Sequence, residues 1–137
     1  MNIRSRCFAI LLLLVPLAGV TAGEREETAK LAALEWLALV DAMQYEASWQ
    51  AAASLFKTQV AVSDWVKAVT AARSPLGKTG KRELLSATYK SSLPGAPDGE
   101  YVVLQFQTDF ENKARAVETI TPMLDAGTWR VSGYYIR

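Results

Sequence analysis

Three observations predict an α+β domain in which three N-terminal helices pack on one face of a curved, four-stranded antiparallel meander. Apolar residues recur at helical spacing through the first half of the chain and alternate with polar ones through the second. The segment Ser74-Pro75-Leu76-Gly77 separates the halves, and no helix crosses it, because proline disfavours helix in the residue before it and cannot continue one. The expected strands are joined by short links, at Glu111 to Lys113 and Asp125 to Gly127, which require antiparallel neighbours. Helices followed by a meander give a helical layer on a sheet.

Residues 1–22 precede that domain and read as a signal peptide. Arg4 and Arg6 form a basic start, Phe8 to Leu17 an apolar middle, and Val20-Thr21-Ala22 a small-residue cleavage site. Pro16 and Gly19 interrupt the apolar stretch, which is shorter than the ~20 residues that span a bilayer. A periplasmic or secreted protein, cut after Ala22 and free of the membrane thereafter, is the expectation, with residues 23–137 as its single domain.

Within that domain the first helix is expected over Glu24 to Asp41, with Ala29, Ala32, Ala33, Trp36, Leu37 and Val40 at helical spacing. Leu31, Leu34 and Leu39 widen the stripe, so this helix is expected to be covered on more than one side. Tyr45, Trp49, Ala52 and Phe56 put a second helix on one continuous face. Ser63 is the expected N-cap of a third, whose inner side is Trp65, Val66, Val69 and Ala72. Leu85, Ala87 and Tyr89, then Val102, Leu104 and Phe106, face inward from the first two strands. Ala114 to Met123 and Trp129 to Ile136 supply the other two. A polar outer face carrying Gln105, Gln107, Thr119, Thr121 and Arg130 follows, with Tyr101, Val103, Tyr134 and Ile136 as an apolar strip suited to a homodimer interface.

Composition narrows the chemistry. Of 15 basic residues two lie in the leader, leaving 13 against 14 acidic, a balance that argues against a nucleic-acid partner. The only cysteine, Cys7, is in the leader, and there is no histidine, so His-based nucleophile systems are excluded and the usual zinc ligands are missing. No metal site, cofactor or catalytic residue is expected.

Five blocks in order carry a resemblance: WLALVDAMQYEASW from Trp36, RSPLG from Arg73, LPGAPDGEYVVLQFQ from Leu93, VETITPML from Val117 and WRVSGYYI from Trp129. Together they resemble the secreted bacterial domain-of-unknown-function 4019 family across essentially the whole mature chain. The helix-then-sheet order is also similar, at the level of fold alone, to the nuclear-transport-factor-2-like and cystatin-like group, which hosts both ligand pockets and inert adaptors. The family resemblance implies a Gly-Asp at the turn after the first helix, where this chain has Met43-Gln44. It implies no functional residues.

Two local patterns imitate enzymes. Ser54-Leu-Phe-Lys57, Ser63-Asp64 and Lys78-Thr79-Gly80 follow the order of penicillin-recognising motifs, but lie too close together in too short a chain to build that fold. Gly77-Lys78-Thr79 imitates the end of a phosphate loop, yet Ala72 stands where the first glycine belongs. Arg73, Lys78, Lys81 and Arg82 read as a solvated basic loop.

Glu118 is the acid that stands out. A two-residue turn at Ala126-Gly127 sets Asp125 opposite Thr128, and counting back without interruption sets Ile120 opposite Gly133 and Glu118 opposite Tyr135. Glu118 then points at the helices, either as half of an ion pair with Arg82 or Arg115, or as the polar floor of a pocket shared with Tyr135 and Tyr89. The leading expectation is a cofactor-free module that binds a small molecule or a protein. The alternatives are a small acid-base enzyme using Glu118 with a tyrosine, and a structural homodimer through the outer sheet face.

Overall fold

A computed structural model describes residues 19–137. The expected leader, residues 1–22, thus lies almost wholly outside the described residues. Helix α1 spans Ala22–Asp41, α2 Tyr45–Ala51, α3 Ser54–Gln59 and α4 Val62–Arg73, followed by a 3-10 turn at Ser74–Leu76. Strands β1 (Thr79–Lys90), β2 (Tyr101–Phe110), β3 (Lys113–Asp125) and β4 (Thr128–Ile136) form one antiparallel sheet in the order β1-β2-β3-β4. The α+β class and the meander match the sequence expectation, with four α-helices among the described residues in place of three.

Helix α1 opens with a reciprocal cap: Glu24 N donates to Thr21 Oγ1, and Thr21 N donates to Glu24 Oε2. It buries Ala29, Ala33, Trp36, Leu37 and Val40, and it touches all four strands. Leu31 and Leu34 are exposed, so α1 is covered along one stripe only, contrary to expectation.

The expected second helix is broken into α2 and α3. Ala52 and Ala53 are both extended, with ψ 163° and 151°, and both are fully buried. Ala53 N donates to Val131 O on β4 at 2.8 Å. A carbonyl of the sheet thus replaces the helical acceptor, which alanine, a good helix former, gives no sign of. Asp125 Oδ2 then accepts from both Ser54 N, at 2.8 Å, and Ser54 Oγ, at 2.9 Å, tying α3 to the last hairpin. Ser63 lies inside the first turn of α4, whose N-cap is Ala61 without a side-chain bond.

Trp36 and Trp65 are core, as expected, and their indoles are satisfied. Trp36 Nε1 donates to Ser48 O at 2.8 Å, and Trp65 Nε1 donates to Ser48 Oγ at 3.0 Å. Val102, Leu104, Phe106, Ile120 and Val131 meet them from the sheet.

Two β-bulges re-aim side chains. In β1 the register shifts between Leu84 and Ser86, leaving Leu85 exposed while Ala87 and Tyr89 pack on the core. In β4 the expected pairing holds from Asp125 opposite Thr128 to Pro122 opposite Val131, then slips by one at Ser132. Beyond the slip Thr121 faces Gly133, Ile120 faces Tyr134, Thr119 faces Tyr135 and Glu118 faces Ile136. Tyr134 and Ile136 therefore join the inner face, and Gly133 and Tyr135 go to the outer one, the reverse of the uninterrupted count.

Candidate functional site: a buried charge cluster and its cleft

Asp41 ends α1, where a carboxylate meets the negative end of the helix and needs cations from elsewhere. Arg73, at the end of α4, and Arg82, on β1, supply them. Asp41 Oδ1 accepts from Arg73 Nη2 at 2.7 Å, Thr79 Oγ1 at 2.9 Å and Arg82 Nη2 at 3.1 Å. Its Oδ2 accepts from Arg82 Nη1 at 2.8 Å. Burial alone would raise the Asp41 pKa, but the bonds from Arg82 and Arg73 outweigh it and hold the carboxyl below its ordinary value.

Arg82 also reaches the sheet interior. Its Nε donates to Glu118 Oε1 at 2.8 Å, and Glu118 is 0% exposed. Thr108 Oγ1 donates to the same oxygen, and the Tyr134 hydroxyl donates to Glu118 Oε2. Burial, followed by the neighbouring Glu118 charge, drives the Tyr134 pKa well above that of a free phenol. The ring of Tyr134 sits edge-on to Trp36, at 5.3 Å between centroids, so the aromatic core fixes the hydroxyl against the carboxylate. Burial pulls the Arg82 pKa down, but its bonds to Asp41 and Glu118 overcome this and raise it, so it stays charged.

Of the expected partners, Arg82 pairs with Glu118; Arg115 instead sits exposed at the β2–β3 hairpin, its backbone N donating to Asp109 Oδ1. Tyr135 does not approach Glu118: it is 54% exposed on the outer face, and Tyr134 takes its expected place. Tyr89 packs at the other end of β1, under the Arg25 guanidinium, and its hydroxyl donates to Glu100 at 3.4 Å. The outer apolar strip does not form. Tyr101 is buried, with its hydroxyl donating to Pro97 O at 2.6 Å, and Tyr134 and Ile136 face inward, leaving Val103 half-buried on the outer face.

Sequence reasoning missed Asp41, Thr79, Thr108 and the role of Arg73. The basic loop is not solvated as a whole: the Arg73 and Arg82 side chains are 5% and 13% exposed, while Lys78 and Lys81 stay at the surface. The one available signal was an acidic residue in the last turn of a helix. The enzyme-like motifs stay apart, since Ser54 is held by Asp125 and Lys57 Nζ donates to Gln50 O.

A cleft of about 310 Å³ opens onto this cluster. Asp41 and Arg73 form its inner wall, Val40, Met43 and Tyr45 its apolar side, and Lys78 and Glu111 its rim. Met43 is 75% exposed and left-handed, at φ 58°, a conformation disfavoured for any residue with a Cβ. The opposite side is clamped. Glu111 N donates to Lys78 O, and Asn112 N donates to Leu76 O. Gly77, at φ 73°, has no room for a Cβ, which would lie 2.9 Å from Glu111 Cβ. Grooves of about 380 and 430 Å³ run beside Trp129, but neither lining includes a member of the charge cluster.

Among the described residues no group of acidic side chains is placed to hold a metal ion, and no helix is long and apolar enough to cross a membrane. The family model described as "Protein of unknown function (DUF4019)" matches residues 32–134, and the chain belongs to that family. No curated protein and no solved structure matches the chain significantly.

Proposed function

We propose that this member of the family is an exported, cofactor-free module that binds a small molecule in the cleft beside Asp41 and Arg73. One observation carries the reading: the charge cluster is packed against the core on its sheet side and meets a cleft of ligand-binding size at its Arg73 end. Export is supported by the leader pattern in residues 1–22 and by the lack of any cysteine after Cys7.

The acid-base enzyme reading is weaker, because Glu118 is fully buried and already accepts three hydrogen bonds, which leaves no approach for a substrate proton. The homodimer reading loses its support with Tyr101, Tyr134 and Ile136, which do not form an outer strip. Native mass spectrometry of the processed protein tests the proposal. The expected result is a monomer with a small-molecule adduct that disappears in Ser74→Trp, a substitution at an exposed position lining the cleft. A dimer whose adduct is indifferent to that substitution, or that carries none, would overturn it.

A further inference from the structure

The chain has three methionines and one cysteine, and Met1 and Cys7 fall within residues 1–22. The domain that follows therefore carries sulfur only in Met43 and Met123. Met123 is half-buried on the outer face of the sheet, between Tyr101 and Arg130. Met43 is 75% exposed, more than any other large apolar side chain among the described residues. Oxidation of sulfur follows its exposure, so in a domain without a thiol Met43 is the side chain that an oxidant meets first.

The fold does not call for this side chain where it stands. Two backbone bonds close the end of α1: Met43 N donates to Val40 O at 3.0 Å, and Gln44 N donates to Leu39 O at 2.9 Å. With Met43 at φ 58°, this is a left-handed cap, whose usual residue is glycine. A methionine there carries the left-handed penalty and buries little apolar surface in return. Its backbone is pinned by the cap, and its side chain stays at the surface as part of the apolar side of the cleft, with Val40 and Tyr45. Met43 is thus open to solvent and part of the binding wall at once.

Building on the binding reading above, we propose that Met43 is a reversible oxidation site that controls the affinity of the cleft for apolar molecules. The oxidant is a hydroperoxide, of which hydrogen peroxide is the simplest. The thioether lone pair attacks one peroxide oxygen, and the O–O bond breaks as the S–O bond forms. The departing hydroxide takes the proton of the transferred hydroxyl and leaves as water. Sulfur gives up two electrons, the peroxide accepts them, and the side chain gains one oxygen. A flexible apolar side chain becomes a polar one beside Val40 and Tyr45, and an apolar molecule filling the cleft has to strip water from it. Sulfoxide reductases restore the thioether, so the change is a control and not a loss.

The test treats the processed protein, labelled at the methionine methyls for NMR, with hydrogen peroxide, and measures toluene binding by calorimetry before and after. Met43→Leu assigns the two methyl signals and serves as the oxidation-resistant control. The Met43 methyl is expected to convert to its sulfoxide position before the Met123 methyl. Toluene should then bind about tenfold more weakly, the effect of burying a polar group without a partner, and a sulfoxide reductase should restore the affinity. In Met43→Leu peroxide should leave toluene affinity unchanged. Conversion of Met123 first, or a peroxide effect on toluene binding that persists in Met43→Leu, would overturn the proposal. Toluene binding that is unaltered once Met43 is fully oxidised would overturn it too, while leaving the binding reading intact. A protein that takes up no toluene before oxidation would remove the apolar side of the cleft from the binding reading, and this proposal with it.

Discussion

Asp41 and Glu118 never touch, yet both bind one guanidinium, that of Arg82: Asp41 through Nη1 and Nη2, Glu118 through Nε. The end of the first helix and the middle of the third strand are thereby joined through the first strand. The helical layer is fixed to the sheet by charge as well as by the tryptophan core.

Removing one member of this chain leaves a buried charge uncompensated. Glu118→Gln is expected to lower stability by about 3 kcal/mol at pH 7, in the range for breaking a buried ion pair. Tyr134→Phe should cost about 1 to 2 kcal/mol, since it deletes one hydrogen bond to a charged acceptor and leaves the ring in place. Urea unfolding measures both. A neutral Glu118→Gln would contradict the structural role argued for the pair.

Stability should fall at both extremes of pH. The Asp41 pKa is lowered in the fold, so its contribution is present above the unfolded carboxyl value of 3.8 and is lost as pH falls through the folded value. The Tyr134 pKa is raised, so its contribution is present below the free phenol value of 10.0 and is lost as pH rises towards the folded value. Asp41→Asn should flatten the acid limb of a stability-versus-pH curve, and Tyr134→Phe the alkaline limb.

Gly133→Val is expected to be tolerated and to stabilise by up to about 1 kcal/mol, because a β-branched residue suits a strand better than glycine. An added Cβ would meet only Thr121 Cβ, at an ordinary 3.9 Å. An uninterrupted strand would have put Gly133 inside and made the same change an overpacking one. The denaturation midpoint distinguishes the two registers.

Met43→Gly should stabilise by about 0.5 to 1 kcal/mol, the left-handed penalty of a side chain less the flexibility cost of glycine. The same substitution should weaken retention of the small-molecule adduct that the cleft is proposed to hold. A stabilised variant with unchanged affinity would remove Met43 from the cleft's working surface.

Exported material should have an intact mass beginning at Gly23. Cleavage there removes Thr21, and with it the reciprocal cap on Glu24, so the processed protein should lose about 1 kcal/mol relative to the uncut chain. A mass retaining residues 1–22 would refute the export reading.

The sequence conveyed the class, the meander and most of the core, because periodicity of 3.6 and of 2 survives in residues such as Val40, Trp36, Leu104 and Ile120. It did not convey the breaks. Ala52 and Ala53 are extended because Val131 O is within reach, a tertiary fact with no local trace. Arg82 was legible only as one of two guesses by chain position, with Arg115 as the other, and Arg82 is the one that pairs with Glu118. Asp41 and Arg73 were not, since each ends a helix and the two come together only after packing. The tyrosine that bonds Glu118 was misassigned because Tyr134 and Tyr135 are adjacent and identical, so composition cannot distinguish a strand with a bulge from one without.

That tandem also bears on insertions and deletions. The bulge at Ser132 sets which of the two tyrosines reaches Glu118, so the inner surface of the last strand depends on a count of residues as well as on their identity. Losing Ser132 itself would remove the extra residue and leave an uninterrupted ladder, with Tyr134 still opposite Ile120 and Ile136 still opposite Glu118. Flattening the bulge at constant length would instead set Tyr135 opposite Glu118 and turn Tyr134 outward. The inner surface of the last strand therefore survives a change of length at the bulge and is lost by a change of register.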